Sequence, residues 1–133
     1  MMDNKQLVSE YYAMWNSHDF SKAEQLLDND IRFHGSLDIV ANGIEGFKDY
    51  AVILFEAFPN LYHAVEMVVS EDNLAAAYVT YSGTHAGKLL NYEATKKRIC
   101  YSGASFFHFK NGKISSINVL GDLHSLYKQI SQA

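Results

Sequence analysis

At 133 residues the chain has the length of one domain, 1–133, long enough to bury a real core. Its hydrophobic fraction of 48% and charged fraction of 20% are those of a folded globular protein, which excludes disordered and fibrous classes. The formal charge of −4, with only the short basic run Lys96, Lys97, Arg98, excludes a surface that tracks phosphates, so nucleic acid is not an expected partner.

The N-terminal "MMDNKQ" lacks the basic and apolar regions of a signal peptide. The longest apolar runs, "AVILF" and "LAAAYV", fall far short of the ~20 residues that span a bilayer, so no membrane partner and a cytoplasmic location are expected. In "NKQLVSEYYAMWNSHD", Leu7, Tyr11, Met14 and Trp15 recur at spacings of three and four, one face of an amphipathic helix. "SKAEQLL" carries Ser21 and Glu24 at capping-box spacing, which predicts a second short helix. A short strand, "IRFH", leads to "GIEGFKDYAVILFEAF", where Ile44, Phe47, Ala51, Leu54, Phe55 and Phe58 keep helical spacing until Pro59 ends it.

From there the period changes to two. "YHAVEMVVS" and "LAAAYVTYSGTH" are rich in β-branched and aromatic residues and are separated by the turn signal "EDN". "KRICYSGASFFHF" and "KISSINVLG" flank Asn111-Gly112, the strongest short hairpin signal, because both residues tolerate positive φ. "DLHSLYKQISQA" closes with a helix. Helices first and antiparallel strands after predict an α+β fold with helices on one face of a curved sheet. The strand Ile99 to Phe109 has apolar groups of both parities, which predicts burial on both faces and a second copy of the chain as cover, a homodimer through the sheet face. Its Cys100 is the single cysteine and excludes an intrachain disulfide, as suits a reducing compartment.

The ordered segments "YYAMWNSHD", "GIEGF", "AFPNL", "GTHAGKLLNYEATKKRI" and "FHFKNGKISSINVLGDLHSLYKQI" resemble the SnoaL-like polyketide cyclases, within the nuclear-transport-factor-two-like or ketosteroid-isomerase-like superfamily. The resemblance implies a cone-shaped, curved mixed or antiparallel sheet with N-terminal helices on its concave face, a cystatin-like α+β barrel. It also implies a pocket at the open end of the cone, a homodimer, and aldol-type ring closure, or a related acid/base lyase or isomerase reaction, of a small apolar carbonyl compound without metal or cofactor. The matching acid/base is Asp122. The histidine of "GTH" is His85, and that of the first strand is His34. Tyr11 and Trp15 match pocket walls. Two departures stand out: Asn118, where the family tends to carry an aromatic, and Lys96, where it tends to carry glycine.

Proton removal beside a carbonyl needs a base in contact with the carbon and a donor for the oxygen that becomes an enolate. Asp122 supplies the first, and His85 or His34 the second. Tyr11, Trp15 and Asn118 would orient the substrate. Asp122 also stands directly before a helix, where Asp is a preferred N-cap. If the strand is regular, Asn118, Leu120 and Asp122 share one face while Ile117 and Val119 take the other. His18, His63, His108 and His124 have no motif context and are expected on the surface or satisfied in the core. No spacing of ligands suggests a metal. A non-catalytic module that binds a small ligand in the same fold is the competing expectation.

Overall fold

In a computed structural model, which describes residues 2–131, helix α1 (Asn4–Ser17) starts at a reciprocal cap. Asp3 Oδ1 accepts the Gln6 N–H at 2.8 Å, and Gln6 Oε1 accepts the Asp3 N–H at 3.0 Å. The helix ends at His18, which takes the left-handed conformation at φ 59°. Its apolar stripe buries Leu7, Val8, Tyr11, Tyr12, Met14 and Trp15.

The capping box expected at Ser21 does not form. The Ser21 N–H bonds instead to Asp19 Oδ1 at 3.0 Å, and helix α2 (Ala23–Leu26) is a single turn with no side-chain cap. Leu26 and Leu27 are both buried, and the chain passes between them straight into strand β1 (Leu27–His34), which is longer than "IRFH" suggested. A second strand, β2 (Val40–Asn42), gives no sequence signal because three residues cannot show alternation. Helix α3 (Gly43–Ala57) follows and stops before Pro59.

Strands β3 (Tyr62–Glu71), β4 (Leu74–Thr84), β5 (Arg98–Lys110) and β6 (Lys113–Gly121) precede helix α4 (Leu123–Ser131). Asn111 and Gly112 turn β5 into β6 at φ 53° and 77°, as their sequence predicts. The six strands form one curved, open sheet in the order β2-β1-β6-β5-β4-β3. It is mixed, since β1 runs parallel to β6 while every other neighbour is antiparallel. In β3 the register shifts between Val65 and Met67, which leaves Glu66 as an extra residue with no partner on β4.

Helices α1 and α3 cover the concave face. The inner row of β5, Ile99, Tyr101, Phe107 and Phe109, is buried there with Val79, Tyr81, Ile117 and Val119. Trp15 sits among Phe20, Phe47 and Phe55 with ring centroids 5.3 to 5.6 Å apart and steep interplanar angles, the edge-to-face geometry aromatic pairs prefer. Burying each such side chain stabilises the fold by about 1.5–3 kcal/mol.

Within one copy of the chain the helices cover only the inner face of β5, and on the outer face Cys100 and Phe106 are exposed. Register aligns Met67, Tyr78, Ala104 and Leu120 in one outer row, and Val69, Ala76, Phe106, Asn118 and His34 in the next. Among the described residues no helix is long and apolar enough to cross a membrane.

Candidate functional site

The inner face carries more polar groups than a core requires. Tyr12 donates to Ser105 Oγ at 2.8 Å, and Ser36 Oγ lies 3.2 Å from the Tyr50 hydroxyl and 3.3 Å from that of Tyr101. The Leu37 N–H donates to the Tyr50 oxygen at 3.1 Å. Tyr12, Ser105, Ser36 and Tyr50 border a small chamber of about 20 Å³, whose walls include Tyr11, Trp15, Phe33, Leu54 and Val119. That is the space of about one water molecule. Burial pushes the Tyr50 hydroxyl up to about 12 and raises Tyr11, Tyr12, Tyr81 and Tyr101 as well, so at neutral pH every one of these phenols is protonated.

His63 also faces the chamber, a residue the sequence places only among surface or satisfied core histidines. It is 5% exposed, and its Nδ1 is buried with no hydrogen bond. Burial, and to a smaller extent the nearby His18, pulls its pKa down to about 3. The one available signal was parity: His63 shares its face with Leu61 in "LYHAV", and Leu61 is buried.

Of the residues singled out in the sequence, Tyr11 and Trp15 line the chamber and the other four do not. Asn118, Leu120 and Asp122 do share a face, but it is the outer one, because Ile117 and Val119 hold the inner positions of β6. Asp122 is exposed; its N–H donates to Ser102 O at 2.8 Å, and its Oδ1 accepts the Ser125 N–H at 3.1 Å, an N-cap for α4. Replacing Asp122 with Ala is therefore expected to cost about 1 kcal/mol and Asp122→Asn less, read as a shift in thermal midpoint.

His34 and Asn118 do come together, on the outer face. His34 Nδ1 lies 2.9 Å from Asn118 Oδ1 and its Nε2 lies 2.7 Å from Asp38 Oδ1. They border a shallow hollow of about 440 Å³ with Arg32, Phe106 and His108. His85 is fully buried beyond the end of β4 and ties down the loop that follows. Its Nδ1 accepts the Thr95 N–H at 3.2 Å, its own N–H donates to Lys97 O at 2.8 Å, and its O accepts the Lys96 N–H at 2.8 Å. Burial holds its pKa below the usual histidine value.

The other histidines have plain tasks. His18 Nε2 is 3.0 Å from Leu61 O and its ring stacks on Phe55, His108 pairs with Ser116, and His124 is exposed. Among the described residues no three His, Cys, Asp or Glu side chains are grouped to hold a metal ion. None of the buried residues among those described is a carboxylate or a cation; besides the tyrosines, their buried polar side chains are Ser36, His63, His85 and Ser105.

Helix α4 packs against β5. Its Tyr127 stacks on Tyr92 with centroids 5.1 Å apart and lies near enough to Tyr50 and Tyr101 to disfavour their ionisation. Gln129 fastens the helix to β5, accepting the Cys100 N–H at 2.9 Å and donating to its carbonyl at 2.8 Å.

A family model for the SnoaL-like polyketide cyclases matches residues 5–130. No curated protein matches the chain in sequence. Among solved structures the chain is similar to a candidate SnoaL-like polyketide cyclase from Jannaschia sp. CCS1, at 19% identity over 98% of this chain and 92% of that one, with a TM-score of 0.88. It is similar to TsrD from Streptomyces laurentii, at 23% identity over 98% of both chains and a TM-score of 0.86. It also resembles a SnoaL-like polyketide cyclase from Agrobacterium tumefaciens, at 20% identity over 97% of this chain and 98% of that one, with a TM-score of 0.82. At such identities the likeness of structures establishes a shared fold.

Proposed function

Because the chain belongs to the SnoaL-like polyketide cyclase family, we propose that it binds a compact, mostly apolar carbonyl compound inside the cone and closes a ring in it by aldol-type proton transfer, without metal or cofactor. The observation that carries this reading is the chamber itself: aromatic walls from Tyr11 and Trp15 around hydroxyls from Tyr12, Ser105, Ser36 and Tyr50 that a pure core would not need. At about 20 Å³ it is too small for such a ligand as it stands, so binding requires the chamber to widen.

Trp15 is the only tryptophan and reports on this directly. The test is saturable quenching of its fluorescence by a neutral aromatic ketone, followed by chromatography of a synthetic linear poly-β-keto ester incubated with the protein. Ring-closed product supports the cyclase; absence of both signals removes the reading. An acid/base part for Asp122, with His85 or His34 polarising the oxygen and Asn118 orienting the substrate, requires these residues, none of which borders the chamber, to reach the ligand, and Asp122 to leave the Ser125 N–H that it caps. Product formation undiminished in Asp122→Asn would take Asp122 out of the reaction.

One observation favours the competing reading, a binding module without turnover. Ile117 and Val119 hold inner positions near the end of β6, and among the described residues no carboxylate is buried. Saturable quenching with no product over long incubation would decide for it.

The proposal extends to a homodimer through the outer sheet face in the cytoplasm. Met67, Val69, Tyr78, Phe106 and Leu120 are 43 to 62% exposed in adjacent rows, an apolar patch of the kind that marks association sites, and the exposed thiol of Cys100 suits a reducing compartment. Sedimentation at micromolar concentration is expected to give twice the 15.0 kDa chain mass, and Leu120→Glu to give the monomer. A monomeric unaltered protein would sink the dimer.

A further inference from the structure

His63 stands in the inner row of the sheet, directly opposite Tyr81, which in turn stands opposite Tyr101. Its backbone is clamped from α1: the His63 N–H donates to Asn16 Oδ1 at 2.7 Å and Asn16 Nδ2 donates to His63 O at 2.9 Å. Its ring is held on three sides, 4.9 Å from Trp15, 5.1 Å from Tyr81 and 5.6 Å from Tyr12 between centroids. A phenyl ring would satisfy all of these contacts. A phenyl ring lacks the two nitrogens, of which Nδ1 is buried and makes no hydrogen bond although Tyr12 and Ser105, which bond to each other, border the same chamber. A buried polar atom without a partner opposes folding, so the fold has no structural use for this nitrogen.

We propose that His63 is the group that receives the ligand's carbonyl oxygen in the chamber, donating a hydrogen bond from Nδ1 to the oxygen as it gains negative charge during ring closure. The inference rests on the chamber being the ligand site, as proposed above. With its proton on Nδ1 the ring acts as a neutral donor, and burial keeps it neutral at pH 7. A neutral imidazole that polarises a carbonyl is an established device of proton-transfer enzymes. The same surroundings define the ligand class. None of the residues that line the chamber is a cation, so a carboxylate would be buried there without a counter-charge. The ligand is a neutral ketone or ester.

The test compares acetophenone, its apolar isostere α-methylstyrene, and benzoate as ligands of the unaltered protein, His63→Phe and His63→Gln, followed by Trp15 fluorescence. The unaltered protein is expected to bind acetophenone about tenfold more tightly than α-methylstyrene, the worth of one buried hydrogen bond, and to bind benzoate more weakly than either. His63→Phe is expected to melt no lower and to lose the preference for the ketone. His63→Gln, which keeps a donor, should restore most of it.

An undiminished preference for acetophenone in His63→Phe overturns the inference while leaving the chamber reading intact, and tight benzoate binding overturns the ligand class. Failure of all three compounds to bind the unaltered protein overturns the chamber reading and this inference together. If His63→Phe melts lower, ring ¹⁵N chemical shifts of the unaltered protein decide. An Nδ1 resonance that moves with acetophenone supports the assignment, and one that stays fixed while Trp15 responds overturns it.

Discussion

Replacing Trp15 with Ala is expected to cost about 3–5 kcal/mol, the range for removing a large aromatic from a packed core. Trp15 is 2% exposed and touches the rings of Tyr11, Phe20, Phe47, Phe55 and His63, so it joins α1 to α3 and to β3 at once. Neither helix nor sheet can collapse into the space, because Phe47 and Phe107 are fully buried and fixed by further contacts of their own. A loss of that size is a large part of the 5–15 kcal/mol by which domains are commonly stable. Equilibrium urea unfolding measures it as a lowered midpoint at constant slope. Trp15→Phe should recover more than half, since it restores a ring at the centre of the cluster. Near-unaltered stability in Trp15→Ala would show that the layers are not joined through this side chain.

Acid is expected to weaken the fold well before the carboxylates titrate. His63 has a pKa of about 3 when folded against 6.5 for the free side chain. Between those values the unfolded chain binds a proton that the folded chain refuses, so stability rises with pH across the window and falls on acidification, by roughly 1.4 kcal/mol per pH unit. His85 is buried and lowered in the same direction, and adds to the slope. Urea unfolding at pH 7, 5.5 and 4 should show the decline in the unaltered protein, with His63→Phe markedly flatter. Equal slopes would mean that His63 takes its proton while still buried. On the alkaline side the sign reverses. Tyr11, Tyr50 and Tyr101 have raised pKa values, so the stability they contribute is complete below pH 10 and is lost as the pH climbs past it.

Elements whose pattern is local were legible in the sequence. The stripe from Leu7 to Trp15, the end of α3 before Pro59 and the Asn111-Gly112 turn each depend on residues close in the chain, and each stands where the spacing put it. The curved α+β sheet and the family likewise followed from the order of the segments. What depends on distant partners was not legible. Strand β2 exists because β1 pairs with it, and the parallel pairing of β1 with β6 joins His34 to Asn118 across 84 positions. Alternation said correctly that Asn118 and Asp122 share a face, but only the sheet's curvature decides which face is inside. The same limit hid His63. Six histidines look alike in one dimension, and what distinguishes this one is Tyr81 opposite it and Trp15 across it.

The extra residue in β3 has a further effect, on how copies of this chain can meet. Strand β3 forms one edge of the open sheet and carries Val65, Met67 and Val69 largely exposed, a β-prone stretch at an unpaired edge. Glu66 breaks the pairing register inside that stretch and adds a charge, so the edge is neither straight nor uniform enough to template a neighbouring strand. The opposite edge, β2, is only three residues long. With both margins blunted, the sheet resists edge-to-edge growth of the amyloid kind, and the broad outer surface is the part of it left open to self-association.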